Sequence, residues 1–183
     1  MKNTITFLLV LLFISCNNET PKTITTNNIA LNNQPLKVEK TEPFKEPYTI
    51  RFLFETTENN ETYLIIEMEL RNDSYYVSPY AKRDFKGKFN ASLNDNDYFT
   101  LEGELMETPR SVEEIDMHPF VRGTVNWVRV NTIYRQKINI KTQEDFDVIG
   151  FVQFTIEPRC TMEKVEYIIK SRSGNVYFER FMC

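Results

Sequence analysis

The feature that most constrains this chain is a side-chain alternation of period two that begins at Tyr48 and recurs through the rest of the sequence. Tyr48, Ile50, Phe52 and Phe54 share one parity, with Thr49, Arg51 and Glu55 on the other. A second run sets Leu64, Ile66, Met68 and Leu70 against Ile65, Glu67, Glu69 and Arg71. Strand side chains point to opposite faces in turn, so this repeat predicts half-buried strands, the two runs pairing antiparallel. No segment longer than about ten residues carries helical spacing. Turn-forming residues separate the runs: Glu58-Asn59-Asn60-Glu61, then Asn72-Asp73-Ser74. Tyr75-Tyr76-Val77 reads as a short strand stopped by Pro79, which cannot donate to a ladder. Residues 85–93 and 98–105 flank Asn94-Asp95-Asn96-Asp97 and are expected to pair as a hairpin. Residues 106–124, with Pro109 and Pro119, read as irregular, and 127–140 as one long strand or a bent pair. A strand over 148–156 and a last hairpin, 165–170 with 176–181 around Ser173-Gly174-Asn175, complete eight or nine strands. That number at such spacing implies an all-β sandwich or barrel.

The residue types agree. Fourteen Phe and nine Tyr accompany only five Gly, and bulky side chains at that density suit pleated surfaces. The formal charge of −4 argues against a nucleic-acid partner, which calls for a basic stripe.

The N-terminal residues are of another kind. Lys2 precedes an apolar run over 5–14, broken only by Thr6, and Ser15-Cys16 follow. The run is shorter than the roughly 20 residues a spanning helix needs, and it has the size of a signal-peptide core. Ile14-Ser15-Cys16 resembles the lipobox of bacterial lipoproteins, with Phe13 where Leu is usual. The resemblance implies cleavage after residue 15 and acylation of Cys16, an anchor strong enough for stable membrane attachment. Asn17 in place of Asp beside it favours the outer membrane over the inner. Residues 16–46 are rich in Asn, Thr, Pro, Lys and Glu and read as a disordered tether, too poor in large apolar groups to offset ordering entropy. The expected organisation is a signal peptide over 1–15, lipidated Cys16 and linker over 16–46, and a β-sandwich domain over 47–183.

Of three cysteines, lipidation uses one. Cys160 and Cys183 are then an even pair in a compartment that permits disulfides. A bond between them would tie the last hairpin to the strand before it and contribute roughly 3 kcal/mol. A redox-active or free Cys160, two inert thiols and an intermolecular bond are the alternatives.

The last third of the chain carries a further resemblance. Gly150-Phe151-Val152-Gln153-Phe154 leads to Cys160 and then Met162-Glu163-Lys164-Val165-Glu166-Tyr167. Earlier come Ile65-Ile66-Glu67-Met68-Glu69-Leu70 and Tyr75-Tyr76-Val77-Ser78. Together they resemble the periplasmic N-terminal domain of the thiol–disulfide interchange protein DsbD, over roughly residues 47–170. This resemblance implies an antiparallel immunoglobulin-like β-sandwich and thiol–disulfide exchange at a cysteine pair. Cys160 matches the pair's second member, whereas Thr155 and Ile156 stand near the place of the first. Exchange needs one thiol to attack and another to resolve, so the chemistry is expected to be degenerate, with Cys183 the sole replacement.

Other candidates are thinner. Glu113, Glu114 and Asp116 gather beside His118, the single histidine, as a conceivable metal or acid–base set, but one histidine with no thiolate is a thin ligand set and a solvated acidic loop is the favoured reading. There is no Gly-x-Ser-x-Gly elbow or Gly-rich phosphate loop, and no cofactor is expected. Trp127, Tyr134, Tyr75 and Tyr76 are candidates for a sugar- or peptide-binding surface, or else for core. The functional expectation is a membrane-anchored envelope lipoprotein that binds or scaffolds another envelope protein, with degenerate thiol–disulfide exchange as the alternative.

Overall fold

A computed structural model describes residues 30–31, 34–38, 46–119 and 121–181. Residues 1–15, read above as a signal peptide, and Cys16 and Cys183 lie outside them. Thirteen strands in three sheets make up the described secondary structure, with no helix among these residues.

One five-stranded sheet has the order β2-β3-β4-β10-β7: β2 is Leu36–Val38, β3 Tyr48–Thr56, β4 Thr62–Leu70, β10 Thr132–Ile140 and β7 Phe99–Thr108. The second has the order β1-β13-β12-β11-β6, with β1 Ala30–Leu31, β13 Asn175–Arg180, β12 Thr161–Arg172, β11 Phe146–Ile156 and β6 Asn90–Leu93. Pairing is antiparallel except between β1 and β13. The alternation explains the layering. Ile50, Phe52, Phe54, Leu64, Ile66 and Met68 of the first sheet meet Val152, Phe154, Tyr167, Ile169 and Phe178 of the second in one buried cluster. Phe52 and Tyr167 have ring centroids 4.3 Å apart, and Phe54 stacks on Phe178 at the same separation. Two sheets face to face across an aromatic core form the immunoglobulin-like sandwich that was expected.

Local chemistry sets the turns. In the β3–β4 hairpin Asn60 takes a φ of 60°, a conformation Asn tolerates better than most residues. Ser173 and Gly174 both have positive φ between the paired Arg172 and Asn175, which is how a two-residue hairpin turn matches strand twist.

Three elements differ from the sequence expectation, and 127–140, read as one long strand or a bent pair, takes the second form. Residues 90–93 and 99–108 do not pair with each other: β6 joins β11 and β7 joins β10. The Asn94–Asp97 turn therefore carries the chain between sheets, and the Asn96 carboxamide oxygen accepts the Tyr98 and Phe99 N–H groups at 3.1 and 3.0 Å to redirect it. The stretch 127–140 is two strands, the end of β9 (Gly123–Val128) and β10. Within 106–124 lie the end of β7 and a short strand β8, Glu113–Asp116. The segment assigned to the tether supplies β1 and β2, each added to a sheet edge.

Candidate functional site

A third sheet, β5-β9-β8, where β5 is Tyr76–Val77, joins the sandwich through the Tyr75–Glu157 bridge just past the end of β11. β5 bridges two cores because its neighbours face opposite ways: Tyr76 enters the main cluster, while Val77 joins Ala81, Val121 and Val125 in a satellite. Phe85 and Trp127 pack against that satellite. β9 is thus fixed from behind, and β8 hangs on its far side as an edge strand.

This β8–β9 flap carries an apolar surface. Val112 is 79 %, Ile115 74 % and Met117 77 % exposed, the three most exposed of the exposed large hydrophobics among the described residues. The carboxylates beside them are engaged. Glu113 pairs with Lys82 at 3.1 Å and Glu114 with Arg129 at 3.0 Å. Asp116 accepts the His118 backbone N–H at 2.7 Å and the Trp127 indole N–H at 3.0 Å. The His118 N–H bond foremost holds the Asp116 carboxyl below the usual range against an opposing effect of burial, with the indole bond and nearby positive charge assisting. The Glu113–His118 cluster is therefore built into the flap, and among the described residues no three His, Cys, Asp or Glu side chains converge on a metal position.

The aromatic candidates separate into two groups. Tyr76 and Tyr134 are fully buried, their hydroxyls 3.0 Å apart, and line no surface. Tyr75 and Trp127 are half-buried and meet edge to face at 4.9 Å. The Arg129 guanidinium lies over Tyr75 at 4.3 Å and over Trp127 at 5.6 Å. With these rings covered by each other and by arginine, a stacking surface for a sugar is not what they form.

Glu107, absent from the sequence candidates, roots the flap. Its carboxylate is buried and accepts the Ser78 hydroxyl at 2.7 Å, the Tyr134 hydroxyl at 3.1 Å and the Ser111 backbone N–H at 2.7 Å. All three partners are neutral donors, and together they satisfy a buried charge that would otherwise be costly. Burial pushes the Tyr134 hydroxyl well above the ordinary tyrosine range, and the adjacent Tyr76 hydroxyl and Glu107 carboxylate add to the effect. Ser111 stands two residues before β8, so the Glu107 bond fixes where the chain enters the flap edge. The available signal is parity with a near neighbour: Glu107 stands two residues after Leu105, which packs against the main core cluster on the inward side of β7.

The β11–β12 hairpin carries Cys160 at its tip. Ile156 and Thr161 are the last pair, and residues 157–160 make the turn, where Cys160 has a φ of 54° and an exposed, free thiol. Tyr75 and Glu157 exchange backbone bonds of 3.1 and 2.8 Å, which ties this tip to the flap through the Tyr75–Trp127 contact. Among the described residues no thiol lies opposite Cys160. Thr155 faces Met162, and Ile156 is fully buried. The loop at Gly87 closes on Thr155, whose N–H donates to the Gly87 carbonyl at 2.9 Å. Cys160 is the single cysteine among the described residues.

No family model and no curated protein matches the chain. Among solved structures, the N-terminal domain of DsbD from Neisseria meningitidis in the reduced form aligns at a TM-score of 0.40 and 10 % identity, over 64 % of this chain and 82 % of that one. The N-terminal periplasmic domain of ScsB from Proteus mirabilis aligns at a TM-score of 0.45 and 9 % identity, over 76 % of this chain and 51 % of that one. Both are weak structural resemblances.

Proposed function

We propose that this protein is a non-catalytic binding module of the cell envelope, anchored at the outer membrane through lipidated Cys16, which engages an envelope protein through the β8–β9 flap. One observation carries the reading: an edge strand flanked and occupied by Val112, Ile115 and Met117, all more than 70 % exposed. An open edge offers backbone donors and acceptors to an extended segment, and apolar side chains beside it supply the burial that makes such strand addition favourable. The test compares Ile115→Asp and Met117→Asp with Ile133→Asp, whose side chain is exposed on β10 of the main sandwich. All three are expected to keep the parent's thermal melt. The two flap variants should lose a complex recovered with the parent from envelope extracts, and the Ile133 variant should keep it. Loss in all three, or in none, contradicts the assignment.

A second reading, thiol–disulfide exchange through Cys160, is favoured by the exposed free thiol at the hairpin tip. It requires that Cys160→Ser abolish capture of a mixed disulfide with a thioredoxin-like protein. Retained capture in that variant rules it out.

A further inference from the structure

We infer that Cys160 and Cys183 do not bond to each other within one chain, because the register of the last hairpin keeps them apart. Arg180, the final residue of β13, is paired with Tyr167 on β12. Cys160 precedes Thr161, the first residue of β12, and so lies seven positions from Tyr167. At about 3.3 Å per residue this places Cys160 roughly 20–23 Å from Arg180. The three residue steps from 180 to 183 cover at most about 11 Å when fully extended. A disulfide requires Cα atoms within about 4.4–6.8 Å of each other. The deficit left after full extension, roughly 9–12 Å, exceeds that limit.

Peeling β13 away does not help. Each residue released adds one step of reach, and it also moves the last paired position one step further from Cys160. A one-residue slip of β13 along β12 is opposed by the core. It would turn Val176 and Phe178, now 1 % and 7 % exposed, to the outer face. The two positive-φ residues Ser173 and Gly174 set the same register from the turn. In an oxidising compartment Cys160 therefore keeps a free thiol or bonds to another molecule. This goes beyond the binding reading and does not depend on which surface docks.

The experiment uses the full chain, oxidised, alkylated without reduction and digested. An equal mixture of isotope-labelled and unlabelled protein distinguishes bonds within a chain from bonds between chains. The expected result is alkylated Cys160 and Cys183, or cross-linked peptides with a mixed-isotope fraction, and the same extent of Cys160 alkylation in Cys183→Ser as in the parent. A Cys160–Cys183 peptide drawn from single chains in monomeric protein overturns the inference. So does Cys160 alkylation that appears only when Cys183 is replaced.

Discussion

Replacing Glu107 by Gln tests how the flap is held. One carboxylate oxygen accepts two hydroxyls, from Ser78 and Tyr134, and the other accepts the Ser111 N–H. An amide of the same shape keeps one acceptor and turns the other into a donor. If the amide oxygen serves the hydroxyls, its NH2 faces the Ser111 N–H, donor against donor. If it flips, the hydroxyls must turn, Tyr134 toward Tyr76 and Ser78 away. Either arrangement strands at least one buried donor, at a cost of about 1–3 kcal/mol. Glu107→Leu strands all three and should cost more than Glu107→Gln. For a domain of this size the Gln variant should melt roughly 3–10 °C lower, and its urea midpoint should fall with the m-value unchanged. Hydrogen exchange gives the diagnostic pattern, since Ser111 leads into β8: amides over 111–117 should lose protection before those of β11 and β12. A Gln variant as stable as the parent, or one that loses protection evenly over the sandwich, would refute the assignment of Glu107 as the root of the flap.

Three further outcomes follow from the packing. Gly150→Ala would put a Cβ 2.5 Å from Tyr167 Cζ and 2.6 Å from Leu93 Cδ2, and Tyr167 is 1 % exposed, so the ring has no room to yield. A loss of about 1–3 kcal/mol in urea titration is expected, and an unchanged midpoint would contradict the close approach. Burial above all raises the Tyr48, Tyr76, Tyr134 and Tyr167 hydroxyls above the ordinary tyrosine range. A raised folded value means a contribution complete below the unfolded pKa of about 10 and lost as pH climbs toward the folded value. The melting temperature should drop steeply above that point, and phenolate absorbance from these four should appear only with unfolding; ordinary titration of all nine tyrosines in a folded protein would contradict this. Asp116→Ala removes the acceptor of the Trp127 indole; exchange should quicken over 113–118 while global stability stays within about 1 kcal/mol, and unaltered exchange there would show the bond to be dispensable.

Much of the sandwich is legible because each main strand has one wet face and one dry face. Tyr48 to Phe54 and Leu64 to Met68 alternate, and the structure buries the parity that the sequence marks, with Thr49 and Ile65 of the other parity buried as well. Turn residues are less informative, since they announce that the chain changes direction but not which strand it meets next. Asn94–Asp97 shows this: its side chains bond to the backbone as a turn should, yet the strands on either side enter different sheets. β8 was illegible for a different reason. Glu113, Glu114 and Ile115 are all exposed, so no dry parity exists to betray a strand. β1 and β2 are two and three residues long and gain order from the sheet edges they join. Glu107 is hard to read from the sequence because a carboxylate usually signals solvent, and only parity with Leu105 points inward.

Docking of another protein at the β8–β9 flap is open to covalent capture. A photoreactive residue placed at position 115, with a second at position 133 of the main sandwich as a control, tests it in cells that make the full chain. A discrete covalent adduct from position 115 and none from position 133 is the expected result. Adducts of equal yield from both positions, or from position 133 alone, would contradict it.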